Sequence, residues 1–160
     1  MFIYSVRASG IRYFLLVALT LVVLVGSIII SGSEATAVFA GEEIDLSGVG
    51  EHEGRVKFIR QFGYEIGEAP ISEAEFNMPT VLDRVGIDYN EIQRRQGLDL
   101  TKYGGKKVTR YTYEVTDYPG HEGEKIYANL IVRKNRIIAG DVCSAEPSGF
   151  IHGFERSADK

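Results

Sequence analysis

Residues 125–145, "KIYANLIVRKNRIIAGDVCSA", predict two antiparallel strands joined by a tight turn, and they decide the fold class. β-branched and other apolar residues alternate with polar ones on both sides of Lys134–Asn135, as in half-buried strands joined by a two-residue turn. Residues 106–118, "KKVTRYTYEVTDY", alternate in the same way. The three segments together predict an antiparallel meander sheet of about three to four strands.

Cys143, the only cysteine of the chain, falls near the end of the last of these strands. A two-residue turn places it on the face that carries the apolar residues of the neighbouring strand, which are Ile126, Ala128, Leu130 and Val132. A longer loop is the alternative, because this register sets Arg133 opposite Arg136. A buried cysteine behaves as a small hydrophobe and has a raised thiol pKa. We therefore predict a structural role for Cys143, with Phe150 and Phe154 as a C-terminal latch and His152 exposed to solvent, rather than a nucleophile with its base.

Two amphipathic helices are predicted before the strands. Apolar residues repeat at helical spacing in 51–62, and Gly63 has a position typical of a helix end. Residues 79–97, "PTVLDRVGIDYNEIQRRQG", begin with Pro79 as the first helical residue and end at Gly97. The apolar face of this second helix consists of Leu82, Val85, Tyr89, Ile92 and Gln96. Helices followed by antiparallel strands predict an α+β domain in which both helices cover one face of the sheet.

Residues 13–30, "YFLLVALTLVVLVGSIII", predict a transmembrane helix, because they carry no charge and their helical length of about 27 Å approaches the hydrocarbon thickness of a bilayer. Arg7 and Arg12 precede this segment and acidic residues follow it, so the N-terminus is predicted to be cytoplasmic and the remainder extracytoplasmic. The length favours an uncleaved signal anchor. A product secreted after cleavage near Ala37 or Ala40 is the alternative, and a buried core helix is a weaker one.

The predicted organisation places one domain behind a membrane anchor. The segments are a cytoplasmic N-terminus (1–12), the transmembrane helix (13–30), a flexible acidic tether (31–50), an extracytoplasmic α+β domain (51–155) and a tail (156–160). The formal net charge is -4, which argues against a general nucleic-acid binder. A tether of this length reaches about 25 Å, so the domain is expected to work close to the membrane.

The sequence contains no motif typical of a catalytic, metal or cofactor site. Gly104-Gly105-Lys106-Lys107 lacks the other residues of a phosphate-binding loop, and no GxSxG elbow occurs. His52, His121 and His152 are far apart in sequence and form no metal-binding pair. We therefore expect no cofactor, no metal and no catalytic residues.

One cluster of basic and aromatic residues stands out in this acidic chain. Positive charge of this kind beside flat tyrosine rings is typical of a surface that binds an anionic, sugar-containing or peptide ligand. A solvated face with tyrosines in the core is the plain alternative. The candidate ligand-binding residues are Arg94, Arg95, Lys102, Tyr103, Lys106, Lys107 and Arg110.

The runs "YNEIQRRQGLDLTKYGGKKVTRYTYEV" (89–115), "ANLIVRKNRIIAGDV" (128–142) and "GFIHGF" (149–154) resemble a family of small membrane-anchored bacterial proteins, mostly from Gram-positive bacteria, that is classed only as a domain of unknown function. The resemblance extends from about Arg55 to Phe154. It implies the layout described above and a Gram-positive cell surface, and it adds no site.

Three functions from different classes remain open. The leading hypothesis is a non-enzymatic, membrane-tethered domain that binds a partner protein or an envelope ligand. An envelope hydrolase is the second, with His121 or His152 as base and a partner carboxylate from Glu122, Glu146 or Glu155. The third is a structural or inhibitory module that presents a sheet edge to another surface protein. The sequence predicts no oligomeric state.

Overall fold

A five-stranded antiparallel sheet, formed by the last five strands in sequence order, is the central element of the domain that begins at Ala35. The computed structural model describes residues 36–39 and 42–156, with side chains from residue 44 onward. The strands are β1 (Thr36–Phe39), β2 (Glu42–Asp45), β3 (Ser72–Asn77), β4 (Lys107–Val115), β5 (Ile126–Arg133), β6 (Arg136–Ser144) and β7 (Ile151–His152). The helices are α1 (His52–Arg60), α2 (Arg84–Arg95) and a short 3-10 helix (Leu100–Tyr103).

The α+β class and the meander of β4, β5 and β6 are confirmed, but the sheet has five strands rather than three to four. β3 pairs with β4 from Ser72↔Thr112 to Asn77↔Lys107, and β7 pairs with β6. β3 reads "SEAEFN" and most of its residues are exposed, so it lacks the apolar alternation that marks a half-buried strand. β7 has only two residues, which is too short for any periodic signal.

The turn between β5 and β6 is the predicted two-residue turn, but β6 contains an additional residue that the sequence pattern does not show. Lys134 and Asn135 have φ values of 48° and 62°, the left-handed conformations that such a turn requires. Val132 lies opposite Ile137, whereas Ile131 lies opposite Ala139, so Ile138 forms a β-bulge. Because of this shift, Cys143 lies opposite Tyr127 and its predicted face is wrong.

The two helices cover opposite faces of the sheet, so the prediction that both cover one face is wrong. Phe58 and Ile59 of α1 pack with the side chains of Tyr113, Leu130 and their neighbours in the main apolar cluster, and we call this side the α1 face. The smaller cluster on the α2 face has Leu82 and Tyr89 packed against it and consists of Met78, Leu100, Val108, Ile131, Ile138 and Ala139. Strand residues alternate between the two faces.

Helix α2 begins later than predicted and buries a polar face. Asp83, rather than Pro79, starts the helix, because its carboxylate accepts a hydrogen bond from the Gly86 N–H at 2.8 Å. Val85, a predicted core residue, is 75% exposed. The buried side chains of the helix and its C-cap include Asn90, Gln93 and Gln96.

The amides of Gln93 and Gln96 bind main-chain groups beside the edge of β6, at a position with which β7 does not pair. The N–H of Gly140 on β6 donates to Gln93 Oε1 (2.8 Å), and Gln96 Nε2 donates to the Gly140 carbonyl (3.0 Å). Gln96 Oε1 also accepts from the Phe154 N–H. A Cβ on Gly140 would lie 2.0 Å from the Phe154 ring, so only glycine allows that ring to close the core there. The predicted Phe154 latch is present, and the glutamines hold it in place.

The packed chain extends beyond the predicted domain limits at both ends. Leu46 and Val49 are buried in the main cluster, so the prediction of a flexible tether as far as Gly50 is wrong for these residues. Arg156, assigned to the tail, donates to the carbonyl oxygens of Gly63 and Asp117. In the part of the chain that the structure describes, no helix has the length and apolar character needed to span a bilayer. The predicted segments 1–12 and 13–30 lie outside the described residues.

Candidate functional site

The seven predicted ligand-binding residues do not form one continuous patch. Lys107 and Arg110 are three residues apart on β4 and therefore point to opposite faces of the sheet. Lys107 Nζ lies 2.8 Å from Glu75 Oε2, whereas Arg110 is on the α2 face and contributes positive potential near Asp141. Arg95 lines a cavity of about 480 Å³ beside β7, away from the others.

Arg94 has acidic neighbours on two sides: its guanidinium lies 3.0 Å from Glu91 Oε1 and 3.9 Å from Asp99 Oδ1. Three of the predicted residues, Lys102, Tyr103 and Lys106, do lie together. The Lys106 N–H donates to the Tyr103 carbonyl at 3.0 Å, and both lysines are exposed. The Tyr103 ring packs partly against the smaller apolar cluster, so it is a support rather than an open binding surface.

The antiparallel register brings further basic residues to the same end of the sheet. Thr109 lies opposite Val132, so the start of β4 is beside the β5–β6 turn. We call this region the basic end, and it consists of Lys102, Lys106, Lys107, Arg133, Lys134 and Arg136. Its acidic neighbours include Glu75, which pairs with Lys107, and Asp45, whose pKa is lowered chiefly by hydrogen bonds from Ser47 and less by Lys57 and Arg136.

An exposed apolar loop adjoins the basic end. Residues 79–82 connect β3 to α2, and Thr80 touches Gly104, where a Cβ would lie 3.2 Å from the Thr80 Cα. Val81 is 82% exposed in this loop, and Val85 and Ile87 at the start of α2 are also exposed. A groove of about 310 Å³ adjoins the loop and α2, and its lining residues include Val81, Leu82, Ile87, Glu91, Arg94 and Thr101.

The opposite end of the sheet is acidic. Val115, Ile126 and Ser144 lie side by side where β4 ends, β5 begins and β6 ends. We call this region the acidic end, and its carboxylates are Glu65, Asp117, Glu122, Glu124 and Glu146. Lys125 and Arg156 are basic residues there, and Arg156 Nη2 lies 3.1 Å from Asp117 Oδ2. The domain therefore has an uneven distribution of charge along its strands.

A buried polar cluster lies under α2. Asp141 accepts hydrogen bonds from Tyr89 Oη at 2.8 Å and from Asn129 Nδ2 at 2.9 Å, and Thr112 Oγ1 donates to Asn129 Oδ1 at 2.8 Å. Burial raises the pKa of Asp141 despite these donors. Burial, and then the charge of Asp141, also raise the pKa of Tyr89. The groups in this cluster satisfy one another, which is typical of a structural network.

Cys143 belongs to the edge of this polar cluster rather than to the apolar core. Asn129 Nδ2 lies 3.5 Å from its Sγ atom, and the side chain is partly buried. Burial, followed by the nearby charge of Asp141, raises the pKa of the thiol to about 11. A thiol with this pKa is almost entirely protonated at neutral pH and is a poor nucleophile. The predicted raised pKa is confirmed, although the predicted face is wrong.

His152 is not the solvent-exposed residue that the sequence predicts. Its Nε2 lies 2.8 Å from Tyr118 Oη and its Nδ1 lies 2.6 Å from the Gly153 carbonyl oxygen. The ring also stacks on Phe150, with ring centroids 5.2 Å apart. Both ring nitrogens are therefore occupied, and Tyr118 would have to move before Nε2 could accept a proton from a substrate.

His121 is paired with a carboxylate, but not with one of the three predicted partners. Its Nδ1 lies 3.0 Å from Glu124 Oε2, and Ser144 Oγ donates to the same oxygen at 3.2 Å. Because the carboxylate lies between the histidine and the serine, the imidazole does not reach the hydroxyl as it does in a serine-type triad. A cavity of about 270 Å³ adjoins His121 and Glu124. Among the described residues, no group of three or more histidine, cysteine or acidic side chains is placed to hold a metal ion.

Comparison with known proteins gives one match. A family model described as a domain of unknown function (DUF4830) matches residues 58–142, which is more than half of the chain. The matched region runs from α1 to β6 and so includes α2, the 3-10 helix and the buried glutamines. No curated protein and no solved structure gives a significant match.

Proposed function

The chain belongs to this DUF4830 family of domains of unknown function, and we propose that it is a membrane-tethered, non-enzymatic domain that binds a partner protein or an envelope ligand on the extracytoplasmic side. In this proposal residues 13–30 are an uncleaved anchor and the basic end makes the contact. The observation that carries the proposal is the collection of six basic side chains at one end of an acidic chain. Such a patch attracts anionic surfaces and raises their rate of association.

In this proposal the contact contains only some of the sequence-predicted residues. Lys102, Lys106 and Lys107 remain, and Arg133, Lys134 and Arg136 join them from the β5–β6 turn. Arg95 and Arg110 lie elsewhere, on the cavity beside β7 and on the α2 face. The contact is therefore assembled from two parts of the chain that are about thirty residues apart.

Charge reversal at the basic end tests this proposal in intact cells. The full chain carrying Lys102→Glu, Lys106→Glu and Lys134→Glu is compared with the wild type by crosslinking and capture. A matched control carries Arg60→Glu, Arg95→Glu and Lys125→Glu, three reversals outside the basic end. We expect the basic-end variant to lose its crosslinked partners and the control to retain them, with unfolding free energies within about 1 kcal/mol of the wild type. Equal capture by all three proteins would refute the proposal.

One observation favours the hydrolase hypothesis: the paired side chains of His121 and Glu124 line a cavity. In that alternative, Glu124 would orient His121 and leave Nε2 to act as a general base. Its test is the release of soluble fragments from isolated envelope material by the purified full chain. Release that disappears in a His121→Ala variant would favour the hydrolase, and equal release by both proteins would count against it.

In the third hypothesis, the domain would be a structural or inhibitory module that presents the outer edge of β3 to another protein. This strand is at one edge of the sheet and carries Glu73 and Glu75. Charged side chains on an edge strand oppose pairing with another strand. The structure therefore favours the basic end over this edge as the contact surface.

A further inference from the structure

We propose that the anionic ligand of the basic end is the surface of a lipid bilayer, into which the loop around Val81 inserts. This inference rests on the proposed function and gives the chemical identity of its ligand. Three independent features of the domain lead to it: the place where the chain enters the fold, the distribution of charge, and the apolar loop.

The chain enters the folded domain at its basic end. The Ile137 N–H at the start of β6 donates to the Leu46 carbonyl at 2.8 Å, and Ser47 pairs with Arg136. The Gly50 N–H then donates to Asn135 Oδ1 in the β5–β6 turn. If residues 13–30 lie in a bilayer, the fifteen residues from 31 to 45 reach about 20 Å on average. The hairpin of β1 and β2 shortens that reach further.

The charge distribution favours the same orientation. A bilayer that contains anionic lipids attracts lysine and arginine side chains close to its surface, and the attraction decays within a Debye length of about 8 Å. When the basic end touches lipid, its lysine and arginine side chains lie within one Debye length of the bilayer surface. The acidic end is at the other end of the strands and would be repelled. An acidic partner protein would also complement the basic end, but it would not account for chain entry at the same place.

The loop supplies the apolar part of a membrane contact. Val81 is the most exposed of the large hydrophobic side chains in the described residues, at 82%, and Val85, four residues later, is exposed at 75%. Thr80 lies against Gly104, two residues before Lys106, so the valine loop and the lysines belong to one surface. Apolar side chains flanked by basic ones are typical of segments that insert into the headgroup region.

A single tryptophan reports this contact directly, because the sequence has none. The full chain carrying Val81→Trp is reconstituted in vesicles of phosphatidylglycerol and phosphatidylcholine that contain brominated phosphatidylcholine, a quencher of tryptophan in the bilayer. A matched chain carries Glu122→Trp at the acidic end. We expect quenching and a blue-shifted emission for Val81→Trp and neither effect for Glu122→Trp.

Charge dependence completes the test. Adding Lys106→Glu and Lys134→Glu, or replacing phosphatidylglycerol by phosphatidylcholine, should reduce the quenching of Val81→Trp by about threefold or more. Equal quenching at both positions, no quenching at Val81→Trp, or quenching that does not depend on charge would each overturn the inference. If lipid contact is absent while cellular crosslinking still requires the basic end, the ligand is a protein and the proposed function stands. If both are absent, the proposed function fails as well.

Discussion

The two faces of the sheet bury polar side chains to different extents. On the α1 face, apolar side chains such as Ile59, Leu130 and Phe154 fill most of the space between helix and sheet. The buried Arg55 of α1 donates to Tyr113 Oη and to the Val49 carbonyl, each at 3.1 Å. On the α2 face, an apolar cluster is accompanied by buried amides and a carboxylate that bind main chain and one another, among them Gln93 and Asp141. Apolar periodicity therefore identifies how α1 packs, whereas the orientation of α2 depends on hydrogen bonds that periodicity does not record.

Removing the ring of Phe154 should have the largest effect, because this residue closes the α1 face. The ring packs edge-to-face against Phe58 at 4.9 Å and stacks on Phe62 at 5.4 Å. We expect Phe154→Ala to lower the free energy of unfolding by about 3–5 kcal/mol, measured by urea denaturation. Phe150→Ala is the matched control and should cost less, because Phe150 is only partly buried. A loss below about 1 kcal/mol for Phe154→Ala would contradict this account of the face.

Removing a glutamine amide should have the next largest effect. Gln96→Leu leaves the Gly140 carbonyl and the Phe154 N–H without their observed partner. Removing the hydrogen-bond partner of a buried group costs about 1–3 kcal/mol, so we expect a decrease of that size in the same urea experiment. Gln61→Leu at the exposed end of α1 is the control and should change stability little. If both substitutions prove equally neutral, the amides do not hold the α2 face together.

The sequence-based predictions were correct for the strands β4 to β6 and incomplete for the α2 face. The strands β4 to β6 and their turn were predictable because alternating side chains and a Lys-Asn turn encode them directly. The α2 face was predictable only in part: Gln96 was assigned to the core side, but Asn90 and Gln93 count as polar residues and suggest a solvent-exposed side. The bulge at Ile138 moved Cys143 and Asp141 to the α2 face, and nothing in the alternation of 136–144 indicates an additional residue.

The candidate site was predictable only in part. Lys102, Lys106 and Lys107 were identified because they are close in sequence, and that closeness also led to the inclusion of Arg110. Strand alternation separates Lys107 from Arg110, while pairing of β4 with β5 brings Lys134 near Lys107. Counting the charges of the β5–β6 turn together with those at the start of β4, which pairs with β5, would have found Arg133, Lys134 and Arg136.

The buried carboxylate of the α2 face should make stability depend on pH. Burial raises the folded-state pKa of Asp141 above its ordinary value of 3.8, so the folded chain binds this proton more tightly than the unfolded chain. Its contribution is therefore fully present below pH 3.8 and is lost as the pH rises through the raised folded-state pKa. Relative to Asp141→Asn, the wild type should lose stability as the pH rises above about 3.8 and through the raised folded-state pKa.

Urea denaturation of both proteins at several pH values measures this difference. Hydrogen bonds from Thr101 and Asn90 lower the pKa of Asp99 to about 2. Asp99 therefore contributes stability above pH 3.8 that is lost as the pH falls. Asp45 acts in the same direction. Both residues are present in the wild type and in the variant, so the difference between the two proteins isolates Asp141. A constant difference over the whole pH range would show that the carboxylate is not perturbed by burial.

The smallest change in unfolding free energy is expected for a substitution of Val85 on α2. Comparison with the same kind of substitution on α1 distinguishes the two helices most directly. The helical periodicity of residues 79–97 assigns Val85 to the core, but α2 begins at Arg84 and turns this side chain to solvent. We expect Val85→Lys to change the unfolding free energy by no more than about 0.5 kcal/mol. The same chemical change on α1, Ile59→Lys, would bury a charge where Ile59 is 1% exposed and should prevent stable folding. If Val85→Lys were as damaging as Ile59→Lys, Val85 would have to lie in the core, as the helical periodicity assigns it, and the orientation of α2 described above would be wrong.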